Sequence, residues 1–273
     1  MNAHKGSIRI VALAAGAFLA ACSDSTSPGN TKGLSLSFVV PASHASSSIA
    51  SSSAGTALAS TAATQTLTLT QVQLVVERVE LDTHAATNCG DDEDECSGGC
   101  DDDSAACSEF AAGPMLIDLP LNGDLLSPVI ADVPAGTFDQ LELKIGPPTR
   151  GDKVAAFLAA NPTWPSTASV HVKGTFDAGD GKGALPFDVT FPARGRFELD
   201  FNPPLVVDAQ HKAGNVTLTI DAIGWFKAPT GGFINPLLVS TDDALRMEVI
   251  RNISRSLRAF RDDDKNGDDD HHD

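Results

Sequence analysis

The chain has 273 residues and a formal net charge of −17, from 36 acidic and 19 basic residues. Residues 91–103 hold eight acids and residues 262–273 hold seven acids and one lysine, so elsewhere 21 acids nearly balance 18 bases. A body without clustered Lys and Arg excludes nucleic acid as a favoured partner and points to cations or basic surfaces. The length suffices for one large domain or two small ones.

The N-terminus predicts export and anchoring. Two cations precede a short apolar stretch that is typical of a signal peptide and too short to span a bilayer. The sequence LAAC, ending at Cys22, resembles the lipobox of bacterial lipoproteins, in which the cysteine is lipidated and the chain is cut just before it. We therefore predict a signal peptide at 1–21 and a lipidated tether at 22–32. An ordinary signal peptide that is cut elsewhere is the alternative.

The remaining four cysteines lie in one acidic stretch, NCGDDEDECSGGCDDDSAAC. In an exported protein, clustered thiols in an even number predict two disulfides, with three possible connectivities. A four-cysteine zinc site is the alternative, although the spacing lacks CxxC pairs. The clustered carboxylates could also bind calcium weakly. The cysteines concerned are Cys89, Cys96, Cys100 and Cys107.

Period-2 alternation of apolar residues recurs along residues 33–239 and predicts half-buried strands. The glycine-rich turn at 177–183 joins two such segments as a hairpin. Short strands joined by Gly and Pro indicate an all-β antiparallel sandwich. Two segments interrupt the pattern and are predicted insertions, a mobile Ser/Ala/Thr run at 41–65 and the cysteine segment at 88–108.

Two helices complete the predicted domain. A short one covers 152–160 with Asp152 as its N-cap. A longer amphipathic helix covers 240–261, because apolar residues recur at spacings of three and four. Ser240 and Asp243 resemble a capping box at its start.

The acidic C-terminus, 262–273, is predicted as either a calcium loop or an acidic tail. Oxygen-bearing side chains fall in the register of an EF-hand loop, with Gly267 at its sixth position. The second interpretation is that the arginines of the preceding helix neutralise the aspartates without metal. The candidate calcium ligands are Asp262, Asp264, Asn266, Asp268, Asp270 and Asp273.

No nucleophile, metalloprotease or phosphate-loop motif is present. Trp164 and Trp225 are candidates for stacking on a sugar, and packing in the core is the alternative role for both. His171 has no partner evident in the sequence. Three glutamates on the polar phase of strands predict a solvated face, although a carboxylate pair for glycoside cleavage could be assembled from them in three dimensions. They are Glu77, Glu142 and Glu198.

Four segments resemble a family of bacterial lipoproteins of unknown function, namely GLSLSFVV, VQLVVERVEL, MLIDLPLNG and VPAGTFDQLELKI. The last contains a Pro-Ala-Gly-Thr-Tyr type of turn, with Phe138 in place of the tyrosine. The ending from Asn252 to Gly267 is also similar to the form "NI..S..AF.D.D.DG". The resemblance implies a prealbumin-like or carbohydrate-binding-like sandwich and carries no established activity.

These features predict a membrane-anchored lipoprotein of the bacterial cell envelope that faces the periplasm or the exterior. We expect a non-enzymatic module that binds a glycan or a protein, with calcium as the only candidate cofactor. A surface polysaccharide hydrolase that uses a carboxylate pair is one alternative. A purely structural envelope protein is the other.

Overall fold

The computed structural model describes residues 34–41, 57–62, 64–82, 110–127, 129–130, 133–149, 151, 153–208 and 214–265. The predicted signal peptide with Cys22, the four cysteines predicted to form disulfides and Asp152 lie outside these residues. So do most of the Ser/Ala/Thr run and the last eight residues of the acidic C-terminus. The lipidation and disulfide predictions therefore stay predictions.

The described residues form an all-β sandwich of two packed sheets, as the alternation predicts. The smaller sheet has the order β12-β11-β1-β6, and the larger has the path β10-β7-β3-β8-β9 with β2, β4 and β5 also paired to β3. Within the described part, β1 and β11 pair in parallel and the other pairs are antiparallel. The strands are β1 Leu34–Val39, β2 Leu58–Ala62, β3 Gln65–Asp82, β4 Phe110–Ala112, β5 Met115–Asp118, β6 Val129–Ile130, β7 Gly136–Ile145, β8 Val170–Asp177, β9 Leu185–Phe191, β10 Gly195–Val207, β11 Asn215–Ile220 and β12 Leu257–Arg261.

Strand β3, with 18 residues, organises the larger sheet. One half pairs with β2 and β8, and the other half pairs with β4, β5 and β7. The register shifts between Val76 and Arg78 against β7, so Glu77 is an extra, bulged residue. The bulge lies where β3 passes from one partner strand to the next.

The core lies between the sheets and follows the period-2 pattern. Leu34, Leu36 and Phe38 of β1 are fully buried, as are Val216 and Leu218 of β11. Burial of each large apolar side chain contributes about 1.5–3 kcal/mol. This shared interior fixes which face of each strand points outward, because a slip of one residue would expose every apolar side chain.

The predicted hairpin is confirmed. Strands β8 and β9 pair from Val170↔Phe191 to Phe176↔Leu185. The turn between them has positive φ at Gly179, Gly181 and Gly183. Glycine suits these positions because it lacks the Cβ that makes such angles costly.

The predicted C-terminal helix, 240–261, extends too far, because its last five residues form a strand. Helix α2 spans Asp243–Ser256, and Leu257–Arg261 forms β12, which pairs with β11. The sequence LRAFR fits both periods, because Leu257 and Ala259 alternate toward the core while Leu257 and Phe260 keep helical spacing. Pairing with the edge of β11 gives the backbone N–H and C=O groups of this segment hydrogen-bond partners, and so favours a strand over a helix.

Smaller corrections concern the ends of elements. Asp242 caps α2 by accepting from the amides of Ala244 and Leu245, in place of the predicted Ser240 box. Helix α1, Val154–Ala160, has Lys153 at its N-cap and no side-chain cap there. Strand β2 falls inside the segment predicted as an insertion, where Ala, Ser and Thr gave no usable pattern.

The alternating pattern continues through VTLTIDAIGWF, residues 216–226, but the strand there ends early. Strand β11 stops at Ile220, and Gly224–Phe226 forms a 3-10 turn. The Asp221 side chain accepts from the Gly224 amide at 2.8 Å and so closes the turn locally.

Candidate functional site

Asp262, the first predicted calcium ligand, is a buried structural acceptor. Its side chain is fully buried, and its Oδ2 accepts from Thr217 Oγ1 at 2.6 Å. Its backbone carbonyl accepts from Asn215 Nδ2 at 2.8 Å, and its amide donates to the Asn215 carbonyl at 3.0 Å. The carboxylate therefore points into the sandwich and not into an open loop.

The next acids of the predicted loop behave differently. Asp263 Oδ2 accepts from Arg261 Nε at 2.7 Å, so an arginine neutralises an aspartate as the second interpretation predicted. Asp264 is exposed. Among the described residues, no group of three or more His, Cys, Asp or Glu side chains is arranged to hold a metal. Asn266, Asp268, Asp270 and Asp273 lie outside the described residues and stay predictions.

Both tryptophans have packing roles in this structure. Trp225 is fully buried, in the 3-10 turn, and donates to Ser256 Oγ at 2.5 Å. Trp164 is 8% exposed, packs with Val75 and Phe157, and donates to the Ala168 carbonyl at 2.9 Å. With so little surface, neither ring presents a face to a sugar.

Six charged residues form a ladder across the outer face of β3, β7 and β10. Register aligns Arg78, Lys144 and Arg196 in one row and Glu80, Glu142 and Glu198 in the next. Each carboxylate contacts a cation of the other row. We call these six residues the charge ladder. With three cations and three anions, it is neutral.

The inner glutamates of the charge ladder are buried, so the predicted solvation of Glu142 is wrong. The side chains of Glu80 and Glu142 are each 8% exposed and share Lys144, whose Nζ lies 3.5 and 2.9 Å from them. Burial lowers the pKa of Lys144, but Glu142 and Glu80 outweigh it and leave that pKa raised. Burial, followed by repulsion from the same two glutamates, raises the pKa of the neighbouring Asp82. Cations therefore hold this carboxylate pair in place.

Glu77 is also more buried than the sequence predicts. Its side chain is 9% exposed, and its Oε2 lies 3.8 Å from Arg194 Nη1. Its Oε1 is buried and has no hydrogen-bond partner among the residues that the structure describes. Gly146 packs against this carboxylate so closely that an added Cβ would lie 2.3 Å from Oε2. The bulge turns Glu77 into this tight contact.

His171 has a partner that the sequence does not reveal. Its Nε2 lies 2.6 Å from Asp188 Oδ1 on the neighbouring strand, and Lys173 Nζ lies 3.2 Å from Asp188 Oδ2. Burial alone would raise the pKa of Asp188, but the hydrogen bonds from His171 and Lys173 hold it below its usual value. Lys173 is thereby partly neutralised before it meets any ligand.

Beside Lys173 lies a polar cleft of about 670 Å³, which we call the Asp118 cleft. It lies between β3, β8 and the loop from Leu119 to Leu126. The loop is anchored at both ends, since Leu119 N donates to the Val72 carbonyl and Leu126 bridges Phe38. Its polar lining consists of Thr70, Gln71, Asp118, Asn122, Asp124 and Lys173.

The loop has a built-in turn that holds one cleft carboxylate. Asn122 accepts from the Asp124 amide at 3.0 Å and donates to the Asp124 side chain, and Gly123 has φ of +83°. Asp118 is exposed and, within the described part of the chain, forms no ion pair. With Lys173 held by Asp188, the cleft presents excess negative charge.

The sequence contains only a faint signal for this cleft. The segment MLIDLPLNG, residues 115–123, is one of those quoted for the lipoprotein resemblance, and Asn122-Gly123 is a turn signal. Gln71 and Lys173 reach the cleft only through the pairing of β3 with β8. That pairing is long-range and has no local signature.

Comparison with protein-family models, curated proteins and solved structures found no match. The lipoprotein resemblance thus remains a prediction from the sequence. Within the part of the chain that is described, neither helix has the length and apolarity needed to cross a bilayer.

Proposed function

We propose that this chain is a lipid-anchored lipoprotein of the cell envelope whose β-sandwich binds an extracellular ligand, a glycan or a protein, without catalysing a reaction. The Asp118 cleft carries the binding proposal. Its volume of about 670 Å³ is within the roughly 300–1,000 Å³ typical of ligand sites. The anchoring proposal rests on the LAAC sequence at Cys22.

The lining indicates the chemistry of this ligand. Asp118 and Asp124 offer acceptors for hydroxyl or ammonium groups, and Gln71 and Thr70 both donate and accept hydrogen bonds. A ligand rich in hydroxyls or positive charge therefore suits the cleft better than an anion. Gln71 and Lys173 lie opposite each other on two paired strands, and sites built on strands are more precisely held than sites on loops.

A polysaccharide hydrolase is the second candidate, because Asp118 and Asp124 line the same cleft and glycosidases use a carboxylate pair. The buried pair Glu80 and Glu142 suits this chemistry less well. Cations of the charge ladder hold both of them, and neither lines the cleft. Binding and hydrolysis must be separated by experiment.

The test uses the mature chain with Cys22→Ser, screened against a glycan library, purified cell-wall polymers and a lysine-rich peptide. We expect one of these to bind, and the double variant Asp118→Asn, Asp124→Asn to bind it at least about tenfold more weakly, because charged hydrogen bonds are lost. Asp243→Asn, an exposed acid on α2 outside the cleft, is the matched control.

Each outcome has a defined meaning. Equal binding by the cleft variant and the control, or no binding to any probe, would refute the cleft as the site. Release of shorter saccharides by the wild type but not by Asp118→Asn would support the hydrolase. For anchoring, labelled palmitate should enter the wild-type chain and not Cys22→Ser, which should leave the membrane fraction.

A further inference from the structure

A second concavity lies where the edges of the two sheets meet. Strands β10 and β12 flank a groove of about 480 Å³, lined by Arg196, Phe197, Glu198, Arg258, Ala259 and Phe260. We call it the edge groove. It shares no lining residue with the Asp118 cleft. It is thus a separate feature of the molecule.

Strands β10 and β12 form this groove, and contacts near both ends of β12 join the two strands. Near one end, an added Cβ on Gly195 would lie 3.7 Å from Leu257 Cδ1. Near the other, Arg261 Nη1 donates to the Pro203 carbonyl at 2.9 Å. The five residues of β12 span about 17 Å at the usual rise per residue, which is long enough to contact a short oligosaccharide.

The two arginines of the edge groove are held differently. Arg196 belongs to the charge ladder, and its Nη2 and Nε each lie 3.0 Å from a glutamate, Glu142 and Glu198 respectively. Arg258 is exposed and, among the residues that the structure describes, has no ion-pair partner. Within the described part of the chain, the groove therefore presents one fixed guanidinium and one cation without an ion-pair partner.

The two acids that directly follow β12 have other partners. The Asp262 side chain is buried against Thr217, and Asp263 pairs with Arg261. Arg258 and Phe260 are two residues apart on β12, so their side chains share one face of the strand. Phe197 contributes a second, partly exposed ring from β10. A cation thus lies beside apolar ring surface.

We propose that the edge groove binds an acidic saccharide of the uronic-acid type. A carboxylate on the sugar pairs with the Arg258 guanidinium, which suits planar carboxylates. The apolar face of the ring packs on Phe260 or Phe197, and Glu198 accepts from ring hydroxyls. A single cation without an ion pair among the described residues is too few for a nucleic acid, which needs several phosphate contacts.

The test measures binding of a galacturonic-acid trisaccharide and of its neutral galactose counterpart to the mature chain carrying Cys22→Ser. We expect the acidic trisaccharide to bind at least about tenfold more tightly, and Arg258→Gln to lose about tenfold of that affinity. Arg255→Gln removes the same charge from α2 outside the groove and should bind as the wild type. Phe260→Leu should weaken both sugars alike.

Three results would overturn the proposal. They are equal loss in Arg258→Gln and Arg255→Gln, equal binding of the acidic and neutral sugars, and binding of an aspartate-rich peptide or inorganic phosphate as tight as that of the acidic sugar. Thermal melting of each variant shows that it is folded. The double variant of Asp118 and Asp124 should retain uronate binding, so failure of the cleft and failure of the groove are distinguishable.

Discussion

Removing the hydroxyl that faces Asp262 should destabilise the sandwich. Thr217→Val keeps the shape of the side chain but deletes the donor that lies 2.6 Å from Asp262 Oδ2. Because that carboxylate is fully buried, water cannot replace the lost bond. A hydrogen bond to a charged group contributes about 1.5–3 kcal/mol, and we expect a loss of about 2 kcal/mol.

Urea denaturation of wild type, Thr217→Val and Thr219→Val measures this loss. Thr219 lies two residues further along β11 and is half-buried, and we expect its variant to lose less, under about 1 kcal/mol. Equal stability of both variants would refute the assigned role of the Thr217 hydroxyl.

Variants of Asp262 and Asp264 decide between a structural acceptor and a calcium ligand at Asp262. If the carboxylate serves the fold, millimolar calcium should change the melting temperatures of wild type and Asp262→Asn alike. A calcium-dependent rise that is present in the wild type and absent in both Asp262→Ala and Asp264→Ala would instead restore the calcium loop.

Three further predictions concern the charge ladder and the hairpin turn. Glu142→Gln should lower the free energy of unfolding in urea by about 1–3 kcal/mol, because Lys144 and Arg196 lose a buried partner. Glu198→Gln, at a side chain that is 51% exposed, should lower it by under about 1 kcal/mol. Equal losses would contradict the role assigned to the charge ladder. Burial raises the folded-state pKa of Asp82 above its unfolded value, so stability falls as pH rises from the unfolded pKa to the folded pKa and stays lower above it. Asp82→Asn should therefore raise the melting temperature at pH 7 but not at pH 3. In thermal melting, Gly179→Ala should destabilise the protein more than Gly181→Ala. Both glycines have positive φ, but an added Cβ at 179 would lie 2.4 Å from a threonine hydroxyl, whereas the space at 181 is open. The reverse order would refute the packing argument.

Much of the sandwich could be predicted because its determinants are local. Alternation in LELKI and RFELDF assigns β7 and the start of β10, and the glycines at 177–183 mark the β8–β9 hairpin. The prediction of a helix at 240–261 is wrong at its C-terminal end, because LRAFR fits both the helical period and the strand period. The strand is selected by its pairing with the edge of β11. In that pair, Leu257 lies opposite Ile220, which is 37 residues earlier in the chain.

The two candidate binding sites were beyond local reasoning. The Asp118 cleft needs β3 beside β8, and the edge groove needs the edges of both sheets to meet. The sequence offers the two tryptophans as stacking candidates, with packing in the core as the alternative, and cannot decide between these roles. Burial of their rings is decided by neighbours distant in sequence.

The sequence by itself determined the sandwich class, the apolar face of most strands, the β8–β9 hairpin and the concentration of charge in two acidic segments. Tertiary structure decided the roles of the charged side chains. Strand register brought Glu80, Glu142 and Glu198 against three cations, and the pairing of β12 with β11 turned Asp262 inward to Thr217. A carboxylate carries the same charge in every sequence context, and whether water, a cation or a hydroxyl solvates it depends on which strands lie beside it.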